Sequence, residues 1–106
     1  MRIVHNETVV LGPGKADLLE AIARLGTVRD AASELGMSYM RAWKLVQTMN
    51  DGFREPVVIL HRGGFERGGA ELTATGREVL RLYRAMEADS LRATKKAWEA
   101  LLKLLD

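Results

Sequence analysis

Two short helical segments joined by a tight turn, a glycine-rich hairpin after them and a proline-free helical stretch to the C-terminus predict a mainly α fold with a small β-hairpin. In that order they make a winged helix-turn-helix with a long C-terminal helix. The turn lies within residues 27–50, TVRDAASELGMSYMRAWKLVQTMN, and the hairpin within residues 57–72. A length of 106 residues fits one domain. Residues 1–73 would hold the strand, the helix-turn-helix and the wing, and residues 74–106 the long helix.

Each element has its own signal. Residues 2–11 alternate loosely through Ile3, His5, Val9 and Leu11 and stop at Gly12-Pro13-Gly14, which predicts a short strand closed by a turn. Residues 15–25 carry a helical stripe at Leu18, Leu19, Ile22, Ala23 and Leu25, with Gly26 as the stop. Thr27 is a good N-cap for a helix over residues 28–35, and Asp30 in its first turn suits the positive end of the helix dipole. Ala31 and Ala32 are small enough to let a following helix cross closely. Gly36 tolerates a left-handed turn, and Met37 would plug that turn from the core side. Ser38 can cap a third helix reaching about Met49, with Ala42, Leu45 or Val46, and Met49 facing inward. Asn50-Asp51-Gly52 would end it.

Residues 57–60 read as a strand and residues 70–72 as its return, with Gly63-Gly64 and Gly68-Gly69 flanking a long, mobile tip. For the last helix, Thr75 with Glu78 fits a capping box and Thr73 is the other candidate cap. The helix can run to about Leu104, roughly 45 Å. A stripe recurs near every 3.5 residues at Val79, Tyr83, Met86, Ala93, Ala97, Leu101 and Leu104, with polar Ser90 at the missing step. Asp89-Ser90 reads either as part of the helix or as a break between two. A helix longer than its own domain packs on a partner, so the stripe is expected to be the interface of a homodimer.

Composition excludes more than it assigns. The net charge of +2 permits nucleic-acid binding without demanding it. The local distribution says more: residues 35–50 contain two cations, Arg41 and Lys44, and no acid, as a phosphate-facing helix requires. The absence of cysteine excludes disulfides and thiolate metal sites. No signal-peptide pattern and no apolar run near the roughly 20 residues of a membrane span occur, so a soluble, cytoplasmic protein is expected. The only histidines, His5 and His61, form no ligand pair, and no metal site is expected. Neither a nucleophile elbow nor a Walker-type loop is present. No catalytic residue, no cofactor and no enzymatic activity are expected.

The expected partner is double-stranded DNA. The third helix displays Tyr39, Arg41, Trp43 and Lys44, and its first turn is the part of a recognition helix that enters a groove. The Tyr39 hydroxyl can donate to a phosphate. Ser38 can cap, contact phosphate, or do both. Trp43, next to inward-facing Ala42, either contacts DNA or packs half-buried against the wing. Arg62 and Arg67 flank the wing tip, in reach of minor groove or backbone. Thr27 and Arg29 are lesser phosphate candidates. Two other readings remain: an architectural binder with little sequence preference, and a winged-helix module that docks on protein.

The chain resembles the N-terminal DNA-binding domain of the molybdate-responsive transcriptional regulators of ModE type, a relative of the LysR winged helices. The motifs that carry the resemblance are Gly12-Pro13-Gly14, Ala31-Ala32 with Leu35-Gly36-Met37-Ser38-Tyr39, Ala42-Trp43, Met49-Asn50, and Gly63-Gly64 with Gly68-Gly69-Ala70, Leu72-Thr73 and Gly76. The resemblance as a whole covers roughly residues 12–86. The resemblance implies a homodimeric, sequence-specific regulator on a pseudo-palindromic operator, with Ser38, Tyr39, Met40, Arg41 and Lys44 on the DNA-facing part of the third helix. Met40 departs from the polar residue usual there; it can touch a thymine methyl or weaken specificity. The family's second, oxyanion-binding region has no counterpart in this sequence, so binding of molybdate or another oxyanion is not expected within it.

Overall fold

The computed structural model describes residues 1–61 and 68–106. The chain begins with an antiparallel hairpin of β1 (Ile3–His5) and β2 (Thr8–Leu11), in which Ile3 faces Leu11 and His5 faces Thr8. The sequence predicts one strand here; the structure has two. The turn between them is Asn6-Glu7, and both residues have positive φ, 49° and 64°. This is the backbone of a two-residue hairpin turn matched to strand twist. Asn tolerates it, whereas Glu rarely adopts it. Val10 and Leu11 turn inward from β2 and are buried.

Helix α1 (Pro13–Leu25) starts on its proline, which has no N–H to waste at a first helical position. It buries Ala16, Leu18, Leu19, Ala21 and Ile22, while Ala23 and Leu25 of the expected stripe face outward. Gly26, at φ +81°, ends it and donates to the Ile22 carbonyl at 2.8 Å. Helix α2 (Val28–Glu34) is capped by Thr27, whose hydroxyl accepts from the Asp30 N–H at 3.0 Å. Ala31 and Ala32 are buried, so neighbouring helices approach α2 closely. Gly36 takes the left-handed turn at φ +69°, and Met37 packs on the core beneath it.

Helix α3 (Tyr39–Gly52) is capped by Ser38, whose Oγ accepts from the Arg41 N–H at 3.1 Å. It buries Ala42, Val46 and Met49. It also runs through Asn50-Asp51-Gly52, which the sequence reading takes as its end. Asn50 is not a terminator but a clamp. Its side-chain oxygen accepts from the N–H groups of Val57 and Val58 at 2.8 and 3.1 Å, and its amide donates to the Val58 carbonyl at 3.1 Å. Gly52 lies so close to Val10 that a Cβ there would collide with the valine side chain.

The second hairpin pairs β3 (Val58–Leu60) with β4 (Ala70–Leu72), Val58 facing Leu72 and Leu60 facing Ala70. Ala70 N–H also donates to the Gly26 carbonyl at 2.8 Å, which ties the hairpin to the end of α1. The expected wing tip, including Gly63-Gly64, Arg62 and Arg67, lies outside the described residues.

Helix α4 (Ala74–Leu102) follows without a break. Thr73 is its cap: the hydroxyl accepts from Gly76 N–H at 2.9 Å and donates to the Pro56 carbonyl at 2.7 Å. Thr75, the other candidate, instead donates to Glu55 at 3.2 Å. The helix continues through Asp89-Ser90, where Thr94 Oγ1 donates to the Ser90 carbonyl at 2.5 Å. Its first half belongs to the core. Gly76 backs directly onto the Val57 carbonyl, leaving no room for a Cβ. Tyr83 is wholly buried and its hydroxyl donates to the Met1 carbonyl at 2.6 Å. Arg84 bridges Asp17 at 2.8 Å and Glu87 at 2.9 Å. From residue 89 onward every residue is exposed. The helix therefore projects from the domain, and the molecule measures 53 × 30 × 24 Å.

Candidate nucleic-acid interface

The first turn of α3 is held at both ends of its local sequence. Ser38 fixes where the helix begins, and buried Ala42 fixes which side faces in. The side chains between them are thereby set. Met40 is 60% exposed, and Arg41 and Lys44 are exposed beside it. Among the described residues neither Arg41 nor Lys44 takes part in a salt bridge. The paired cations lie elsewhere: Arg24 with Glu34, Arg81 with Glu78, Arg84 with Asp17, Glu20 and Glu87, and Arg92 with Asp89. An exposed helix start with unneutralised cations and no acid presents a field that favours phosphate.

Tyr39 and Trp43 are one turn apart on α3 and both are half-buried. Together with Val28, Leu60, His61, Gly68 and Gly69 they line a cavity of about 250 Å³ between α2, α3 and the second hairpin. The half-burial of Trp43 against the hairpin side thus matches one of the two sequence readings. The Ser38 and Thr27 oxygens accept from backbone N–H groups, which leaves each hydroxyl proton to donate outward. Arg29 is exposed in the first turn of α2. Of the sequence candidates, the structure brings Ser38, Tyr39, Met40, Arg41, Trp43 and Lys44 together on one helix start; Arg62 and Arg67 lie outside the described residues.

Two further cations join this surface, and the sequence reading missed both. Lys15, in the first turn of α1, is half-buried. Its ammonium is held below the usual lysine range by burial, then by the charges of Arg41 and Arg2. The Arg2 side chain lies along Gly12, its Cγ 3.6 Å from where a Cβ on that glycine would sit. Nothing in the local sequence flags these residues, because they lie far from Arg41 along the chain and only folding brings its charge to bear on Lys15.

The candidate dimer seam needs a correction of position. Tyr83 belongs to the protomer's own core and is closed to a partner, and Val79 is half-buried against that core. Met86, Ala93, Ala97 and Leu104 do face solvent, but they run beside the line of large apolar side chains. That line is Leu91, Trp98 and Leu101, with the smaller, polar Thr94 at the step between the first two; separations of three, four and three residues match the alternation of a coiled-coil seam. Leu91 is 73% exposed and Trp98 55%. Only Leu101 is common to both lines.

No helix of the described chain is long and apolar enough to cross a membrane, and its described residues hold no cluster of three metal-ligating side chains. No protein-family model matches the chain. It is 40% identical over 84 residues to the molybdenum transport protein ModE of Azotobacter vinelandii, an alignment covering 79% of this chain and 31% of that protein. It is 35% identical over 71 residues to the DNA-binding transcriptional dual regulator ModE of Escherichia coli K12, covering 67% of this chain and 27% of that one. The chain is homologous to the N-terminal region of the ModE molybdate-responsive regulators. It spans about three-tenths of the length of these ModE relatives. The molybdenum-pterin-binding protein MopB of Rhodobacter capsulatus is also similar, 44% identical over 78 residues, 74% of this chain and 29% of that protein. Among solved structures, the CbnR DNA-binding domain in complex with DNA superposes with a TM-score of 0.66 at 22% identity, over 86% of this chain and 99% of that one. That likeness establishes the winged-helix fold.

Proposed function

We propose that the chain binds double-stranded DNA in a sequence-specific way and regulates transcription as a homodimer on a pseudo-palindromic operator. The observation that carries this reading is the start of α3, where exposed Arg41 and Lys44 stand free of any salt bridge among the described residues, beside Ser38 and Tyr39 hydroxyls. Homology to ModE regulators and the fold shared with a DNA-binding domain support it. The third helix enters the major groove, its side chains reading base edges while hydroxyls and cations take phosphates. Specific occupancy near a promoter then blocks or recruits polymerase.

Dimerisation is supported by the projecting half of α4. Its Leu91, Trp98 and Leu101 present an apolar line that a second copy of the helix can cover, with Leu105 just past the helix end and smaller Ala93 and Ala97 at its edge. Two recognition helices related by a two-fold axis would then meet half-sites about one helical turn apart. Met40, apolar and exposed at a groove-facing position, favours a contact to a thymine methyl.

The test combines sedimentation equilibrium with duplex titration across a salt series. The expected result is a dimer in solution whose affinity falls steeply and log-linearly with salt. A monomer that ignores duplex DNA even at low salt would overturn the reading and favour docking on a protein partner. Binding of equal strength to every duplex would replace it with an architectural role. The reading assigns no oxyanion to this chain; saturable heat on calorimetric titration with molybdate would contradict that part.

A further inference from the structure

Several cations of this molecule are neutralised within it. Arg24, Arg81, Arg84 and Arg92 are each paired with acids on their own or a neighbouring helix. Arg2, Lys15, Arg41 and Lys44 take part in no salt bridge among the described residues, and the first three come from the stretch before β1, from α1 and from α3. Lys15 precedes fully buried Ala16 in α1, and Arg41 precedes fully buried Ala42 in α3. Helices α1 and α3 pack on one another, and Ala16 and Ala42 belong to the same buried core. Arg2 lies along Gly12, at the entrance to the same first turn of α1.

Gathering like charges costs folding free energy unless something offsets it. Among the described residues no carboxylate is paired with the group: the first turn of α1 contains no acid, and neither does that of α3. The lowered proton affinity of Lys15, caused by burial and by Arg41 and Arg2, agrees with an uncompensated positive spot. A polyanion laid across it would relieve the repulsion. The spot adjoins the start of α3, so the polyanion that reaches it is the one α3 already holds.

We propose that Lys15 and Arg2 extend the DNA-binding surface beyond the helix-turn-helix and wing, taking backbone phosphates next to those met by the first turn of α3. The proposal rests on the duplex-binding reading above and adds to it a second phosphate track on α1. These contacts position the domain and carry no sequence information.

The experiment compares wild type with Lys15→Gln, Arg2→Gln and, as a control on the projecting helix, Lys96→Gln. Affinity for a selected and for a random duplex is measured by fluorescence anisotropy over a salt series. Each of the first two variants should make the slope of log affinity against log salt shallower by about 0.9, equally on both duplexes. The Lys96 variant should leave it unchanged. Because a substitution at half-buried Lys15 can disturb folding, wild-type protein is also acylated with and without saturating duplex. Lys15 should be protected by the duplex and Lys96 should not. Unchanged slopes, or Lys15 acylated at the same rate with duplex present, would overturn the proposal while leaving the DNA reading intact. Wild type that binds no duplex would remove both.

Discussion

Replacing Asn50 by alanine should uncouple the second hairpin from the recognition helix. The Asn50 oxygen accepts from Val57 and Val58 N–H groups, and its amide donates to the Val58 carbonyl. Val57 and Val58 are almost completely buried, 0% and 2% exposed. Each lost bond removes about 1 kcal/mol net, and each buried donor left unpaired costs roughly 1–3 kcal/mol. Asn50 itself is only half-buried, so water entering the vacated space recovers part of that. The sum is about 3 kcal/mol, which for a domain of this size lowers the melting temperature by roughly 12–24 °C. Urea unfolding followed by circular dichroism measures it, at one fixed protein concentration because association adds a concentration-dependent contribution. Asn50→Asp keeps the acceptor but turns an oxygen toward the Val58 carbonyl, and should fall between wild type and alanine. A loss below about 1 kcal/mol for the alanine variant would refute the clamp.

Gly76→Ala should destabilise by about 3 kcal/mol or prevent folding, since its Cβ would overlap the Val57 carbonyl. Gly14→Ala, with open space around it, should be neutral or stabilise by up to about 1 kcal/mol in the same urea titration. Arg41→Ala should weaken operator binding by about 1–3 kcal/mol if Arg41 reads a guanine; an equal loss on random duplex would make it a phosphate contact. Trp98→Asp should convert dimer to monomer in sedimentation without changing the far-ultraviolet spectrum of the domain, and a persistent dimer would exclude that seam. Burial, then the charge of Glu87, raises the Tyr83 phenol above its ordinary 10.0. The native state then holds the proton that the unfolded chain releases. Stability is therefore full below pH 10 and falls as pH climbs from there toward the native value. Tyr83→Phe should flatten that alkaline limb in urea titrations, and should also cost about 1 kcal/mol at neutral pH through the lost bond to Met1.

The helices were legible because their signals are local. Thr27 and Ser38 cap where a hydroxyl before an apolar-periodic run predicts, and the 3.6-residue stripe of α3 buries Ala42, Val46 and Met49 as expected. Elements that depend on distant neighbours were not. The N-terminal hairpin hid behind Glu7, a residue that gives no turn signal although it adopts a positive φ. Asn50 has the composition of a helix end, and its clamp exists only once residues 57 and 58 fold back beside it. Periodicity alone could not tell Tyr83 in the core from Met86 in solvent, since both lie on one helical stripe; burial depends on where the domain stops and α4 continues. The same ambiguity hides which of two neighbouring lines, through Ala97 or through Trp98, carries the large exposed apolar side chains. On the DNA side, the acid-free start of α3 was visible in the sequence, whereas Lys15 and Arg2 reach it only through tertiary packing.

The central claim is that this winged helix reads DNA sequence as a symmetric pair. Selection from a random duplex library at moderate salt, with sequencing of the bound pool, tests it most directly. The account predicts an enriched inverted repeat whose two half-sites lie about one helical turn, roughly 34–36 Å, apart. A bound pool no different from the starting library would contradict it.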